Sequence, residues 1–344
     1  MRSPISRTSF GYTNTDQTNK RDPQRLHVKT SMTQNTSKFN DHSPNSANFQ
    51  EYLENYLPKH KKSMDPQFLL WFIGFFEGDG TFAQWRRVKT PKTDPVNRFA
   101  FSIEQKNNTR LLYTIRSTLG FGKVTTHSRG ATYRVGKKED LIRLLILFHG
   151  NLSLAHRRTQ VENVVQNMSL AGWDLPESLS RRNLPLIRPS LESSWMAGFF
   201  DADAGFASNR TRTFQDKKPG SDDFLRLRIQ LKFYITQKKE DVEILEQIGD
   251  LFNPGGWRIY DISSGHSSVK YARLEFGRGS AHDRILEYLK MHPLKGTRRI
   301  DAKIFSLLRT RQIQRGSRFN TLKMARRTAR LLDRLSKTRH EKDE

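Results

Sequence analysis

Apolar positions along the middle of the chain follow two periods, and the change from one to the other happens twice in the same order. The first pass opens with "FLLWFIGFFEGDGTF", Phe68–Phe82, an apolar run interrupted only by glycine that closes on two acids, Glu77 and Asp79. Asp65-Pro66 supplies an N-cap and a favourable first position, so a helix is predicted from there to the acids. A strand over "TFAQWRR" follows, then a polar loop, then "RFAFSIEQ", which sets Phe99, Phe101 and Ile103 against Arg98, Ala100 and Ser102. Helical spacing returns in "TRLLYTIRSTLG", a hairpin in "GKVTTHSRGATYRV", and helices in "KEDLIRLLILF" and "HRRTQVENVVQNM". In the second pass "LRLRIQLKFYIT" sets Leu225, Leu227, Ile229, Leu231, Phe233 and Ile235 against Arg226, Arg228, Gln230, Lys232 and Tyr234. Alternation this regular predicts a strand with one buried face.

The repetition extends to the residues themselves. "WFIGFFEGDGTF" at Trp71–Phe82 returns as "WMAGFFDADAGF" at Trp195–Phe206, with Gly74 matching Gly198 and Asp79 matching Asp203 at one constant offset. "SIEQK" and "YITQK" match further on, at an offset that grows only across loops, as expected of a duplicated domain. The predicted class is α+β, two halves each reading helix, two strands, helix, two strands, helix. The halves span 64–171 and 190–315, and the proline-containing segment 172–189 links them. Small residues stand four apart in both repeated helices, Gly74 with Gly78 and Gly198 with Ala202, which lets two helix backbones approach closely. Packed together, these helices bring their C-terminal ends, each carrying partial negative charge, side by side. Asp79 and Asp203 at those ends are unfavourable unless a cation lies between them, and hard oxygen ligands suit Mg²⁺. Such a cation, beside a phosphodiester, can activate water and stabilise the leaving oxygen.

Composition names the partner. Of 344 residues 60 are Lys or Arg and 35 Asp or Glu, a formal charge of +25, which points to a polyanion, nucleic acid before an anionic membrane surface. The outward strand residues are Arg, Lys, Gln, Asn, Thr and Tyr with few acids, the types that neutralise phosphates and read base edges. No apolar window has the length of a membrane span, and the absence of cysteine excludes disulfides, thiolate zinc sites and a cysteine nucleophile. Residues 1–63, rich in Asn, Ser, Thr and Gln, are expected to form a disordered extension; Arg2, Arg7 and the lack of acids up to Thr15 are compatible with an organelle-targeting signal, and equally with an untargeted tail or a read-through from an upstream coding segment. Residues 316–344 are expected to form a basic helical tail, either solvated or in non-specific contact with phosphates.

"FIGFFEGDG" and "MAGFFDADA" resemble two copies of the LAGLIDADG motif, and the chain from Met64 to Arg315 is similar to single-chain, two-motif LAGLIDADG homing endonucleases. The resemblance implies two pseudo-symmetric αββαββα halves, each with a four-stranded antiparallel saddle-shaped sheet, straddling DNA. It implies a monomeric, membrane-free, Mg²⁺-dependent endonuclease (Mn²⁺ substituting) that cuts a long, imperfectly symmetric double-stranded target, leaves 3′ overhangs and promotes intron mobility. The genetic home it implies is the mitochondrion, or alternatively the chloroplast. Carried onto this chain, Asp79 and Asp203 are the metal ligands, assisted by the backbone carbonyls of Gly78 and Ala202. Glu77 and Asp201 hold structure instead, and Gln105 and Gln237 organise metal-bound water, through a bulge or strand end because they are out of step with the outward residues. The late basic residue matches Arg298, with Lys295 nearby, and in the first half His156, with Arg157 beside it; an arginine there stabilises phosphate charge rather than acting as a base. The second motif departs from the family in placing Ala204 after its acid, a residue uncomfortable at positive φ. Groove-facing candidates are Trp85, Arg87, Lys89, Arg98 and Ser102, then Asn209, Thr211, Arg228, Gln230, Lys232 and Tyr234, with Trp85 equally suited to packing at a sheet edge. Two rival roles use the same fold, an intron RNA maturase and a DNA-binding protein without catalysis.

Overall fold

The computed structural model describes residues 39–41, 47–87, 96–182, 184–213, 225–262, 270–315, 318–319 and 322–340. A short strand β1 (Phe39–Asp41) and helix α1 (Ala47–Asn55) precede the first half. That half comprises α2 (Pro66–Asp79), β2 (Gly80–Arg87), β3 (Val96–Gln105), α3 (Thr109–Leu119), β4 (Lys123–His127), β5 (Gly130–Val135), α4 (Lys138–Phe148) and α5 (Ala155–Leu170). After β6 (Leu186–Arg188) the second half repeats the order: α6 (Trp195–Asp203), β7 (Ala204–Thr213), β8 (Leu225–Lys238), α7 (Val242–Phe252), β9 (Arg258–Ile262), β10 (Tyr271–Phe276), α8 (Gly279–Met291) and α9 (Arg298–Arg315). A two-residue strand β11 (Arg318–Phe319) and helix α10 (Leu322–His340) follow.

Both sheets are antiparallel with one strand order, β2-β3-β5-β4 and β7-β8-β10-β9, and β11 adds to β8. One face of each is packed and the other open, as the alternation predicts. Phe99, Phe101 and Ile103 are buried while Arg98 is exposed, and Ile229, Leu231, Phe233 and Ile235 are buried between half-exposed Gln230, Lys232 and Tyr234. The α2 N-cap forms as expected, Asp65 Oδ1 accepting from Gln67 N at 2.9 Å.

The apolar character of α2 on all sides follows from its position. Phe68 through Glu77 are all buried, because α2 packs on its own sheet and on α6 at once. Phe76 stacks on Phe148 with ring centroids 4.0 Å apart, and Phe82 and Phe101 close the same cluster. Phe200, Phe206 and Phe233 repeat the arrangement in the second half. At the α2–α6 interface the backbones touch: a Cβ on Gly74 would collide with the carbonyl oxygen of Trp195, and one on Gly198 with that of Trp71.

The flanking regions differ from expectation. The extension 1–63 is not free of core: Phe49 and Tyr52 of α1 are fully buried and α1 packs on α4. Phe49, Tyr52, Leu53, Tyr56 and Leu57 stand at helical spacing, a short amphipathic signal that the polar average over the whole extension conceals. The linker is likewise tied down, β6 pairing in parallel with β1. Residues 1–38 and Lys89 lie outside the described residues, and among the described residues no helix is long and apolar enough to cross a membrane.

Candidate active site

Asp79 and Asp203 are the last residues of α2 and α6, and the chain passes from each directly into a strand. Gly80 and Ala204 close the two helices with nearly the same extended backbone, φ −84° and −85°, each donating its N–H to the fourth residue back, Phe76 or Phe200. No positive φ is required, so alanine is comfortable where the family motif has glycine. The ends of the helices meet: a Cβ on Gly78 would lie 2.6 Å from Asp203 Oδ2 of the other half. Two carboxylates and two sets of terminal carbonyls thus concentrate negative charge at the interface.

Two arginines answer that charge symmetrically. Arg157 donates from Nε to Glu77 O (2.7 Å) and from Nη2 to Gly78 O (2.9 Å). Arg298 donates from Nε to Asp201 O (2.7 Å) and from Nη2 to Ala202 O. Burial lowers the pKa of Arg157 and the acids around it, Glu77, Asp203 and Asp79 foremost, oppose the shift; guanidinium stays protonated in either case. The counterpart of Arg298 is therefore Arg157, a correction to the assignment of His156. Consecutive helical residues point about 100° apart, and His156 turns away to pair its Nδ1 with Asp241 Oδ2 at 2.7 Å. The carbonyls of Gly78 and Ala202, expected to assist the metal ligands, each accept one guanidinium N–H, and a carbonyl oxygen keeps a second lone pair.

Gln105 Nε2 donates to Asp79 Oδ2 (2.7 Å) and Gln237 Nε2 to Asp203 Oδ2 (2.5 Å). Neither position has a bulge, but both stand at a strand end, the expected alternative: Gln105 is the last residue of β3 and pairs with Ala131, and Gln237 is the last but one of β8 and pairs with Ala272. Both glutamines have the inward parity of Ile103 and Ile235, and this is the parity needed, because the acids lie beneath the sheets at the ends of the buried helices.

Glu77 and Asp201 lock the halves together reciprocally. Glu77 Oε1 accepts from the backbone N–H of Ser153 (2.8 Å) and Leu154 (2.6 Å), and Oε2 from Trp195 Nε1 of the second half (2.6 Å). Asp201 Oδ2 accepts from Trp71 Nε1 of the first half (3.1 Å) and from the N–H of Lys295 (2.7 Å), and Gly296 N–H also reaches this carboxylate. Burial pushes the Glu77 carboxyl up from its usual 4.5 to about 8, outweighing its three donors and Arg157, and raises Asp201 likewise. An acid raised in the folded state holds a proton that the unfolded chain releases, so stability falls as pH rises from about 4.5 to about 8. Glu77→Gln is expected to flatten that slope, measured by denaturant unfolding across the window; an unchanged slope would assign it to other groups. Glu77→Ala strands three buried N–H groups and is expected to cost about 3 kcal/mol or more.

Lys295 does not join the acids. Its backbone serves Asp201, while its ammonium lies over the rings of Phe68 and Trp71 (5.6 and 5.8 Å), near the start of α2 rather than its acidic end.

The open sheet faces carry the groove-facing candidates. Trp85 and Arg98 are paired across β2 and β3 on the face of Ser102; Trp85 is 41% exposed with the Arg134 guanidinium 4.9 Å over its ring, so it belongs to this face and not to edge packing. Asn209 pairs with Gln230 and Thr211 with Arg228 in register on the corresponding face of the second sheet. Tyr234 is covered by the Arg273 guanidinium at 4.4 Å, and Lys232 pairs with Glu275 at 2.5 Å. For Arg87, Asn209, Thr211 and Arg228 the strand backbone alone is described. The β4–β5 and β9–β10 pairs add Lys123, Thr125, Thr132 and Arg134 in the first half and Arg258, Tyr260 and Arg273 in the second. Sequence reasoning missed these, although the alternation in "GATYRV" marks Thr132 and Arg134 and that in "YARLEF" marks Arg273.

The comparisons agree with this architecture. The family model for LAGLIDADG endonucleases matches residues 72–160 and 196–307. A protein of Neurospora crassa named "Probable intron-encoded endonuclease 4" is 28% identical over 243 residues, covering 66% of this chain and 37% of its own length. "Probable intron-encoded endonuclease Cox1-I1b" of Schizosaccharomyces pombe is 26% identical over 218 residues, covering 54% of this chain and 50% of its own length. The chain thus spans half or less of these two relatives. Among solved structures, the LAGLIDADG meganuclease I-AabMI bound to uncleaved DNA superposes with a TM-score of 0.59 at 17% identity, over 77% of this chain and 98% of that one. I-CpaMI, also bound to uncleaved DNA, gives 0.54 at 16% identity over 77% and 98%. The matched segments take in both motif helices and both sheets, and the chain belongs to the LAGLIDADG endonuclease family.

Proposed function

We propose that this chain is a monomeric, site-specific DNA endonuclease that cuts both strands of a long, imperfectly symmetric duplex and promotes the mobility of an intron. The observation that carries the reading is one acid from each half, Asp79 and Asp203, meeting at the interface under two cation-bearing sheet faces. A binding role needs the sheets alone and has no use for paired acids at two negative helix ends. Relatives named as intron-encoded endonucleases, and neighbours solved on DNA, support the same reading. The proposed setting is the mitochondrion.

The donor set fits a hard divalent cation, Mg²⁺ with Mn²⁺ as a substitute. Asp79 and Asp203 would hold it, each with one oxygen already oriented by a glutamine. When bound, it supplies Lewis-acid stabilisation of phosphodiester charge and a more acidic water. The chain's own residues do the rest. Gln105 and Gln237 fix the rotamers of the acids, Arg157 and Arg298 neutralise the helix ends and hold them in register, and the sheet faces orient the two strands.

The test is to incubate the full chain with duplex DNA spanning the uninterrupted insertion site of its host intron, with Mg²⁺ or with EDTA. Staggered cuts in both strands with 3′ overhangs, abolished by EDTA, are expected. Cleavage that continues in EDTA would remove the metal from the mechanism. Intact DNA under every condition, with host-intron splicing dependent on the protein, would establish the maturase role instead.

A further inference from the structure

Helix α10 lies outside the two repeated halves and carries a surface that the active site does not use. Its inner side is apolar: Leu332 and Leu335 are buried against the second half, and buried Thr328 accepts from Arg311 Nη1 of α9 (2.6 Å). Ser208 Oγ of β7 donates to Leu332 O (3.0 Å). Ser208 pairs with Leu231 and so has inward parity, whereas Ala207 and Asn209 have the parity of the open face. Helix α10 therefore packs on the helical side of the second sheet, and its outer face points away from the groove.

That outer face is a cationic ridge. Lys323, Arg326, Arg327, Arg330 and Arg334 are all exposed and fall within an arc of about 100° around the helix. The ridge is about 16 Å long at 1.5 Å per residue. A duplex carries one phosphate charge per about 1.7 Å of its axis, both strands counted, so one lying along the ridge brings several phosphates within reach of its cations. The helix contains a single acid, Asp333.

We propose that the α10 ridge is a second DNA-binding surface, which takes the phosphate backbone of a duplex without reading sequence while the sheets hold another segment. The ridge offers cationic donors alone, and the partner common to them on a duplex of any sequence is phosphate. The inference rests on the endonuclease reading for the segment in the groove and not for the ridge itself. A protein with two such faces can pass between DNA segments, or bridge them, without releasing the first.

The test uses the full chain in EDTA with two duplexes carrying different fluorophores, one spanning the intact insertion site and one of unrelated sequence. Co-complexes containing both are expected at low salt. Changing Lys323, Arg326, Arg327, Arg330 and Arg334 together to Gln is expected to weaken capture of the unrelated duplex at least tenfold and to lower its log–log salt slope by about 4. Binding of the insertion-site duplex and thermal stability should hold, and a variant with Lys at all five positions should restore capture. Equal capture by the Gln variant, or no co-complex with the wild type, would overturn the proposal. A structured RNA hairpin held at the ridge tenfold more tightly than duplex DNA would overturn the choice of partner. Failure of the insertion-site duplex to bind would sink the reading of the sheets, while the comparison of wild type and Gln variant on the unrelated duplex would still report on the ridge.

Discussion

Asp79→Asn and Asp203→Asn are each expected to lower double-strand cleavage at least about a thousandfold, equivalent to roughly 4 kcal/mol of transition-state stabilisation. The substitution keeps the shape and an oxygen that can still accept from Gln105 or Gln237, so the local hydrogen bond survives. What is removed is one formal negative charge from the position where a cation would be held. Because that charge sits at two helix C-termini, its loss relieves repulsion, and both variants should melt at or slightly above the wild-type temperature. Binding of the insertion-site duplex should persist, since the sheet faces are untouched. Cleavage within tenfold of wild type in either variant would show that its acid is not a metal ligand. Loss of cleavage together with a lowered melting temperature would instead assign it a structural role, the one derived above for Glu77.

Gly74→Ala and Gly198→Ala are expected to be the most damaging single-methyl additions to the fold. The new Cβ would meet a backbone carbonyl, Trp195 O or Trp71 O, rather than the movable end of a side chain. Relief requires α2 and α6 to separate, which disturbs the crossed Trp71–Asp201 and Trp195–Glu77 bonds and the meeting of Asp79 with Asp203. Overpacking of this kind costs about 3 kcal/mol or more, with loss of cleavage as the acids part. Gly136→Ala is the matched control: a Cβ there meets nothing within 4 Å and the backbone is not at positive φ, so stability should be unchanged or slightly higher. If the two interface variants unfold at the same denaturant concentration as the control, the close approach of the motif helices is not what holds the halves together.

The regulatory content of the interface is smaller than its buried acids suggest. Glu77 and Asp201 are raised by burial, and each is buried and accepts from three N–H groups of the fold, so their titration bears on stability rather than on the chemistry.

Local order was open to inspection in the sequence because it depends on near neighbours. The switch from helical to alternating period, the Asp65 cap, the duplication and the close packing of glycine-bearing helices all follow from spacing, and the acids at the helix ends pointed to a cation. The separation of Asp79 from Glu77 came from the resemblance to the family motif, and in the structure Glu77 is buried among N–H donors while Asp79 accepts from Gln105. What tertiary structure alone decided are the distant partners. Which of His156 and Arg157 faces the helix ends depends on the rotation of α5 against α2, over a separation no period spans. The inward parity of Gln105 and Gln237 is a mismatch along the strand and becomes a fit only once the acids lie beneath the sheet. Lys295 stands three residues before Arg298, but the turn into α9 sends its ammonium to Phe68 and Trp71. The crossed tryptophan–carboxylate bonds join residues of opposite halves, and their existence could be known only when the halves were placed together. Backbone propensity and burial period thus set the elements of the two halves, the duplication and the place of the acids. The fold decided which side chains converge on them, since convergence is a property of packing between segments far apart in the chain.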